Sequence, residues 1–249
     1  MHALGIDIGG TGIKAAPVDT STGQLLAARQ KIDTPHPATP EAVSGVVKEL
    51  VTSFGWSGAI GCTFPGVVTE GVVRTAANVD PSWIGTDAAS LFSKATGQPV
   101  TVLNDADAAG VAEMTFGAGK GEQSTVLMLT FGTGIGSALF TSGKLVPNTE
   151  FGHIEIRGRD AEKRASERAK DLHDLSWKHW AGRVDEYLQH IEALVWPKII
   201  ILGGGISKQH EKFVPLLTGL TATVVPAALL NDAGIAGAAM VAASAPATS

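Results

Sequence analysis

Leu4-Gly5-Ile6-Asp7-Ile8-Gly9-Gly10-Thr11-Gly12-Ile13-Lys14 stands near the start of the chain, and Leu127-Met128-Leu129-Thr130-Phe131-Gly132-Thr133-Gly134-Ile135-Gly136 echoes it in the second half. Each stretch reads as an apolar strand, a Gly-Thr-Gly-Ile turn and a second strand. Small turns follow at Thr20-Ser21-Thr22-Gly23 and at Ser142-Gly143, each leading to a third short strand. A supersecondary unit repeated at the head of each half points to internal duplication. Two such β-rich halves facing one another predict a cleft between domains, where ligand sites commonly lie.

Working outward, strands are expected over 3–8, 13–18 and 24–32, the last completing a meander. Val43, Val46, Val47, Leu50, Val51 and Phe54 recur at helical spacing after a run of prolines. A strand over 59–64 stops at Pro65-Gly66, and a helix over 87–96 ends on Gly97. A strand over 99–103 leads into an alanine-rich helix over 104–116. Strands over 124–131 and 135–141 follow. The heavily charged stretch 157–170 is expected to be helical, as is 176–195. A strand over 198–202 meets Gly203-Gly204-Gly205, and a last helix occupies about 234–243.

The composition excludes several classes. With 249 residues and 44% hydrophobic content the chain can bury a sizeable core, so it is neither disordered nor fibrous. A net charge of −5 argues against whole-surface binding of nucleic acid or anionic membrane. Cys62 is the single cysteine, which rules out an internal disulfide and any zinc site built from several thiolates. The start lacks the features of a signal peptide, and no apolar run approaches the roughly 20 residues of a spanning helix. A soluble cytoplasmic protein is expected.

Glycines at a strand end leave no Cβ between the amides and a ligand and free the backbone for positive φ. Successive N–H groups of Gly9, Gly10, Thr11 and Gly12, and of Gly132, Thr133 and Gly134, can then point into one concavity and hold phosphate oxygens. Thr11, Thr130 and Thr133 add hydroxyls, and Lys14 either adds positive charge or lies on a solvated face. The second turn is followed by a strand rather than a helix, so it is no dinucleotide fingerprint, and no Walker lysine is present. Gly204 and Gly205 suit close approach to a nucleotide, or equally a packing turn.

Asn104-Asp105-Ala106-Asp107 marks a strand-to-helix junction. Phosphoryl transfer to an alcohol needs a carboxylate that takes the hydroxyl proton and aims the oxygen at phosphorus, and Asp105 is the candidate base. Helix capping by Asp105 or Asp107 is the competing explanation. Asp7, ending the first strand, is a candidate for water-mediated contact to Mg²⁺ on the donor phosphates.

Four segments taken together are similar to the ROK family of bacterial sugar kinases and repressors: 7–14, 103–110, 129–136 and Glu150-Phe151-Gly152-His153. The match in order and separation extends over nearly the whole chain. The resemblance implies the actin-like ATPase (ribonuclease H-like) fold, two similar α/β domains around a cleft. The domains expected are 1–105 with the C-terminal helix (about 234–249), and 106–233. It further implies Mg²⁺, a homodimer, phosphorylation of a hexose at its 6-hydroxyl with Asp105 as base, and sugar contacts from Asn104, Glu150 and His153.

The chain departs from most of that family after His153, where a cysteine-rich zinc loop is replaced by residues 154–164 without cysteine. No structural zinc is expected, His153 is left for the sugar, and Glu155, Asp160 or Glu162 is the next sugar contact, with Glu162 preferred. This shortened loop, the segment Asn78-Val79-Asp80-Pro81-Ser82-Trp83-Ile84-Gly85 and the charged stretch 157–170 resemble the polyphosphate glucokinases and polyphosphate/ATP glucomannokinases within the family. The resemblance implies inorganic polyphosphate and ATP as donors, glucose as acceptor with mannose left open as a second, and Asn78 as a further sugar contact. Arg157, Arg159, Lys163, Arg164, Arg168 and Lys170 either line a polyanion groove or form a solvated face. Two other readings compete: an ATP-only hexose or N-acetylhexosamine kinase, and a non-catalytic sugar-sensing regulator. The second would carry an added N-terminal helix-turn-helix, for which the first strand leaves no room.

Overall fold

A computed structural model describes residues 1–76 and 79–245, which separate into two compact units, Met1–Ala112 with Asp232–Ser249 and Glu113–Asn231. Asn78, an expected sugar contact, lies outside the described residues.

The first unit begins with β1 (His2–Ile8) and β2 (Ile13–Asp19), antiparallel across the Gly9–Gly12 turn with Asp7 opposite Lys14. The short strands β3 (Gln24–Leu25) and β4 (Gln30–Ile32) both pair with β2. The expected single strand over 24–32 is therefore two, interrupted between Leu25 and Gln30. Helix α1 (Pro40–Ser53) starts with the Thr39 hydroxyl accepting the Ala42 N–H and Pro40 at its first position, and buries Val43, Val47, Leu50 and Val51 on one stripe. Strand β5 (Ile60–Phe64), the hairpin β6 (Val68–Thr69) and β7 (Val72–Val73), and helix α2 (Ala88–Thr96) follow. Gly97 closes α2 at φ +69°, as its position after the helix predicts. Strand β8 (Val100–Asn104) runs directly into α3 (Asp105–Phe116). The sheet order is β3-β2-β1-β5-β8, with β5 parallel to both β1 and β8.

The second unit repeats this plan. Strands β9 (Val126–Phe131), β10 (Ile135–Thr141) and β11 (Lys144–Val146) form an antiparallel meander. The hairpin β12 (Glu155–Ile156) and β13 (Arg159–Asp160) is followed by the short helices α4 (Glu162–Ala165) and α5 (Glu167–Leu172). The helix expected over 157–170 is thus a turn, a strand and two helical pieces. Arg157 (φ +53°) and Gly158 (φ +75°) make the hairpin turn, and Ser166 restarts the helix by accepting the Ala169 N–H. Helix α6 (Trp177–Val195), capped by Ser176, buries Trp180, Val184, Tyr187, Leu188 and Ile191 at helical spacing. Strands β14 (Ile199–Gly204) and β15 (Thr223–Pro226) complete the order β11-β10-β9-β14-β15, with β14 parallel to its neighbours. The two sheets therefore share one topology: a three-stranded meander flanked by two parallel strands.

The chain then returns to the first unit as α7 (Ala233–Ser244). This helix lies so close to the sheet that a Cβ on Gly5 would come 2.0 Å from the Ile235 carbonyl oxygen, and one on Gly61 1.9 Å from that of Ala238. Among the described residues no helix is long and apolar enough to cross a membrane.

Candidate functional site

In the first unit the β1–β2 turn closes with Gly9 N–H donating to the Gly12 carbonyl at 3.2 Å. The Thr34 hydroxyl holds the Gly9 carbonyl from the side. Gly10 faces open space, with no atom within 4 Å of a built Cβ. Gly9, Gly10, Gly12, Gly132 and Gly134 are not at positive φ. The expected use of left-handed backbone is thus corrected: Gly12 and Gly134 leave room for the side chains of Lys31 and Glu162, while Gly10 and Gly132 border open space. A Cβ on Gly134 would come 2.3 Å from Glu162 Oε2.

Beside the first turn, Asp7 is held at both oxygens. Thr63 Oγ1 donates to Asp7 Oδ1 at 3.0 Å while accepting the Ile8 N–H at 3.1 Å, and Lys14 Nζ stands 3.4 Å from Asp7 Oδ2. Thr63 is fully buried within β5. It was legible only as a polar residue inside an apolar strand. Lys14 pairs with Asp7 rather than lying on an unpartnered surface.

At the β8–α3 junction the capping question resolves onto a third residue. Asn104 Oδ1 accepts the N–H groups of Ala106 (2.8 Å) and Asp107 (3.1 Å), and its amide donates to the Gly66 carbonyl. Asn104 caps α3 and is buried. Asp105 occupies the first helical position, half-buried, with Oδ1 accepting the Ala106 N–H at 2.8 Å.

In the second unit the turn closes with Gly132 N–H donating to the Gly134 carbonyl at 3.0 Å, and Gly132 faces open space like Gly10. Thr133 is exposed and Thr130, one residue before Phe131 at the end of β9, is half-buried. Ile135 N–H donates to Glu162 Oε2 at 3.2 Å, which brings this acid onto the turn. The segment holding Glu150 and His153 is pinned to β10: buried Ser137 donates to the Thr149 carbonyl and accepts the Phe151 N–H. A Cβ on Gly152 would strike the Ile135 carbonyl at 2.3 Å, so that position tolerates only glycine.

His153 is thereby surrounded by acids, with Glu150 Oε2 3.6 Å from Nε2 and Asp160 Oδ2 3.9 Å from Nδ1. His153, Asp160 and Glu162 each present a ligand atom within 4.8 Å of the others. Glu155 is not part of this group. Desolvation raises the Glu150 carboxyl above its ordinary range and Glu162 adds to the rise, against the opposing pull of His153. The Lys163 ammonium, 2.8 Å away, holds Asp160 below the usual carboxylate range.

Gly204 and Gly205 end β14 beside β9. Gly204 has φ +86°, and a Cβ on it would meet the Phe131 carbonyl oxygen at 2.0 Å. Helix α5 reaches this corner: Arg168 N–H donates to the Gly132 carbonyl at 3.1 Å. A cavity of about 640 Å³ is lined by Gly132, Thr133, Glu167, Arg168, Asp171 and Leu172. The sequence leaves Arg168 and Lys170 of α5 open between a polyanion groove and a solvated face, and does not single out Leu172. Of the basic residues singled out there, Arg157 and Arg164 both pair with Glu186, and Lys163 pairs with Asp160. Lys170 stands 4.6 Å over the Trp177 ring. Among the described residues only Arg159 and Arg168 of that set form no ion pair, and only Arg168 lines the cavity.

Over 240 residues the chain is 56% identical to a polyphosphate glucokinase of Mycobacterium tuberculosis, covering 96% of this chain and 90% of that protein. A polyphosphate glucokinase of Mycobacterium leprae is 53% identical, with 96% and 74% covered. An inorganic polyphosphate/ATP-glucomannokinase from Arthrobacter sp. strain KM superposes with a TM-score of 0.93 at 48% identity, over 97% of this chain and 98% of that one. A ROK family glucokinase from Streptomyces griseus, solved with glucose and AMPPNP, gives 0.83 at 28% identity, over 98% and 100%. The two α/β units have the actin-like ATPase fold of these sugar kinases. Residues 3–173 match the profile described as "ROK family", and the chain belongs to that family.

Proposed function

We propose that the chain is a glucokinase that transfers a phosphoryl group from inorganic polyphosphate, and also from ATP, to the 6-hydroxyl of glucose. The observation that carries this reading is the presence, in one chain, of two open glycine turns with a threonine in each and a carboxylate at a capped strand-to-helix junction. The relatives named above support the donor and the acceptor.

Each residue then has a role. Amides and hydroxyls at Gly10, Thr11 and Gly12 and at Thr133 and Gly134, with Lys14 and Thr130, hold donor phosphate oxygens, while Gly9 and Gly132, whose N–H groups close the two turns, shape the cradle. Gly204 and Gly205 allow close approach of a nucleotide. Glu150, His153 and Glu162, with the remaining Asn104 N–H and Asn78, bind sugar hydroxyls. Asp105 takes the proton of the 6-hydroxyl as its oxygen attacks phosphorus, and the donor leaves as a chain or nucleotide one phosphate shorter. Asp7 is a single, partly exposed carboxylate, which fits Mg²⁺ held largely by donor phosphates and water. Such an ion, when bound, neutralises charge on those phosphates. Mannose is a second acceptor, the enzyme a homodimer and its place the cytoplasm.

The deciding assay uses nucleotide-free protein with glucose and polyphosphate. Glucose 6-phosphate is expected. Product only after ATP is added would leave an ATP-only hexose kinase.

Thr63 positions Asp7 without touching substrate. Thr63→Val leaves the Ile8 N–H unpaired and releases Asp7 Oδ1, costing about 1–3 kcal/mol of stability. We expect kcat to fall roughly tenfold with a shifted Mg²⁺ dependence, and Thr63→Ser to restore both. Equal Mg²⁺ curves for all three proteins would reduce Thr63 to a packing residue.

A further inference from the structure

The cavity beside the second glycine turn has a lining whose charges suit one donor better than the other. Glu167 and Asp171 lie four residues apart on α5, on one face, and Arg168 and Leu172 form the adjacent stripe. The helix is tied to the turn through Arg168 N–H and the Gly132 carbonyl. Glu167 also reaches the third glycine cluster, where a Cβ on Gly205 would lie 3.3 Å from its Oε2. It takes a hydrogen bond from the Ile206 N–H.

Resting on the proposed donor role of this turn, we infer that the cavity takes the nucleoside end of a nucleotide donor, and that Glu167 and Asp171 discriminate there against inorganic polyphosphate. The two donors differ beyond the phosphates at the turn. A nucleoside is uncharged, and its ribose hydroxyls and exocyclic amine are donors that two carboxylates can accept. Leu172, largely exposed, offers apolar surface to a base. A polyphosphate carries negative charge at every further unit and would run along two carboxylates, with Arg168 the one cation lining the cavity. Lys170, 3.7 Å from Asp171 and drawn over the Trp177 ring, offsets part of their charge from outside it. The volume of about 640 Å³ suits a nucleoside. Desolvation, with Asp171 nearby, already raises the Glu167 carboxyl above its ordinary range, so further negative charge is unwelcome there. The polyphosphate tail therefore leaves by a path that avoids α5.

The test compares wild type with the double variant Glu167→Gln, Asp171→Asn and with Glu167→Gln alone, thermal melting serving as the check on folding. KM for ATP and for a polyphosphate of defined chain length is measured separately at saturating glucose. The ratio of polyphosphate KM to ATP KM is expected to fall about tenfold in the double variant and by less in the single one. Should wild type use ATP alone, the Ki of polyphosphate against ATP replaces its KM and the same fall is expected. A ratio unchanged in folded, active variants overturns the discrimination and leaves the kinase reading standing. Absence of product from wild type with either donor sinks the kinase reading itself.

Discussion

Asp105→Asn is expected to lower kcat with either donor by about 10²–10⁴-fold while leaving glucose affinity within a few-fold of wild type. The substitution keeps the shape and an acceptor for the Ala106 N–H but removes the group that takes up the hydroxyl proton. Helix α3 does not depend on this carboxylate, because Asn104 Oδ1 caps the Ala106 and Asp107 amides. Stability should therefore change by no more than about 1 kcal/mol. Calorimetric glucose titration beside steady-state rates separates the effects. Retention of more than a tenth of wild-type kcat would remove Asp105 as the base.

Gly61→Ala is expected to be among the most damaging single changes to stability. The added methyl would sit 1.9 Å from the Ala238 carbonyl oxygen and 2.2 Å from its carbon. Both partners are main chain, one in central strand β5 and one in α7, so neither can rotate away. Separating them breaks the packing of Ala236, Ala239 and Ala242, all buried on α7. A loss of about 3 kcal/mol or more follows, lowering Tm by roughly 6–12 °C. Gly45→Ala is the counterpart. It lies mid-helix in α1 with nothing within 4 Å of its Cβ, and the same methyl should stabilise by about 0.5–1 kcal/mol. Equal melting of the two variants would show that α7 is not seated on the sheet as described.

The paired hairpins were legible because both signals are local. An apolar run meeting a glycine turn is written in consecutive residues, and its repetition predicts the matching sheets β3-β2-β1-β5-β8 and β11-β10-β9-β14-β15. Helices α1 and α6 were legible for the same reason, their stripes and caps falling within a few turns. The stretch 157–170 misled because its charges are compatible with a helix. The turn that breaks it depends on Arg157 adopting φ +53°, an uncommon conformation for that residue.

Residue order alone determined the duplicated α/β plan, the two glycine turns and the candidate base, because each is encoded within a short window, and it determined the family through four such windows in order. Only the folded chain decided that Thr63 orients Asp7 and that Asn104 rather than an aspartate caps α3. It also decided that Glu162 belongs to the second turn, and that Arg168 lines a cavity while Arg157 and Arg164 spend their charge on Glu186. Apart from the local Asn104 cap, these join residues distant in the chain through contacts a few ångströms long. Strand pairing and helix packing create such contacts, and spacing along the chain does not record them.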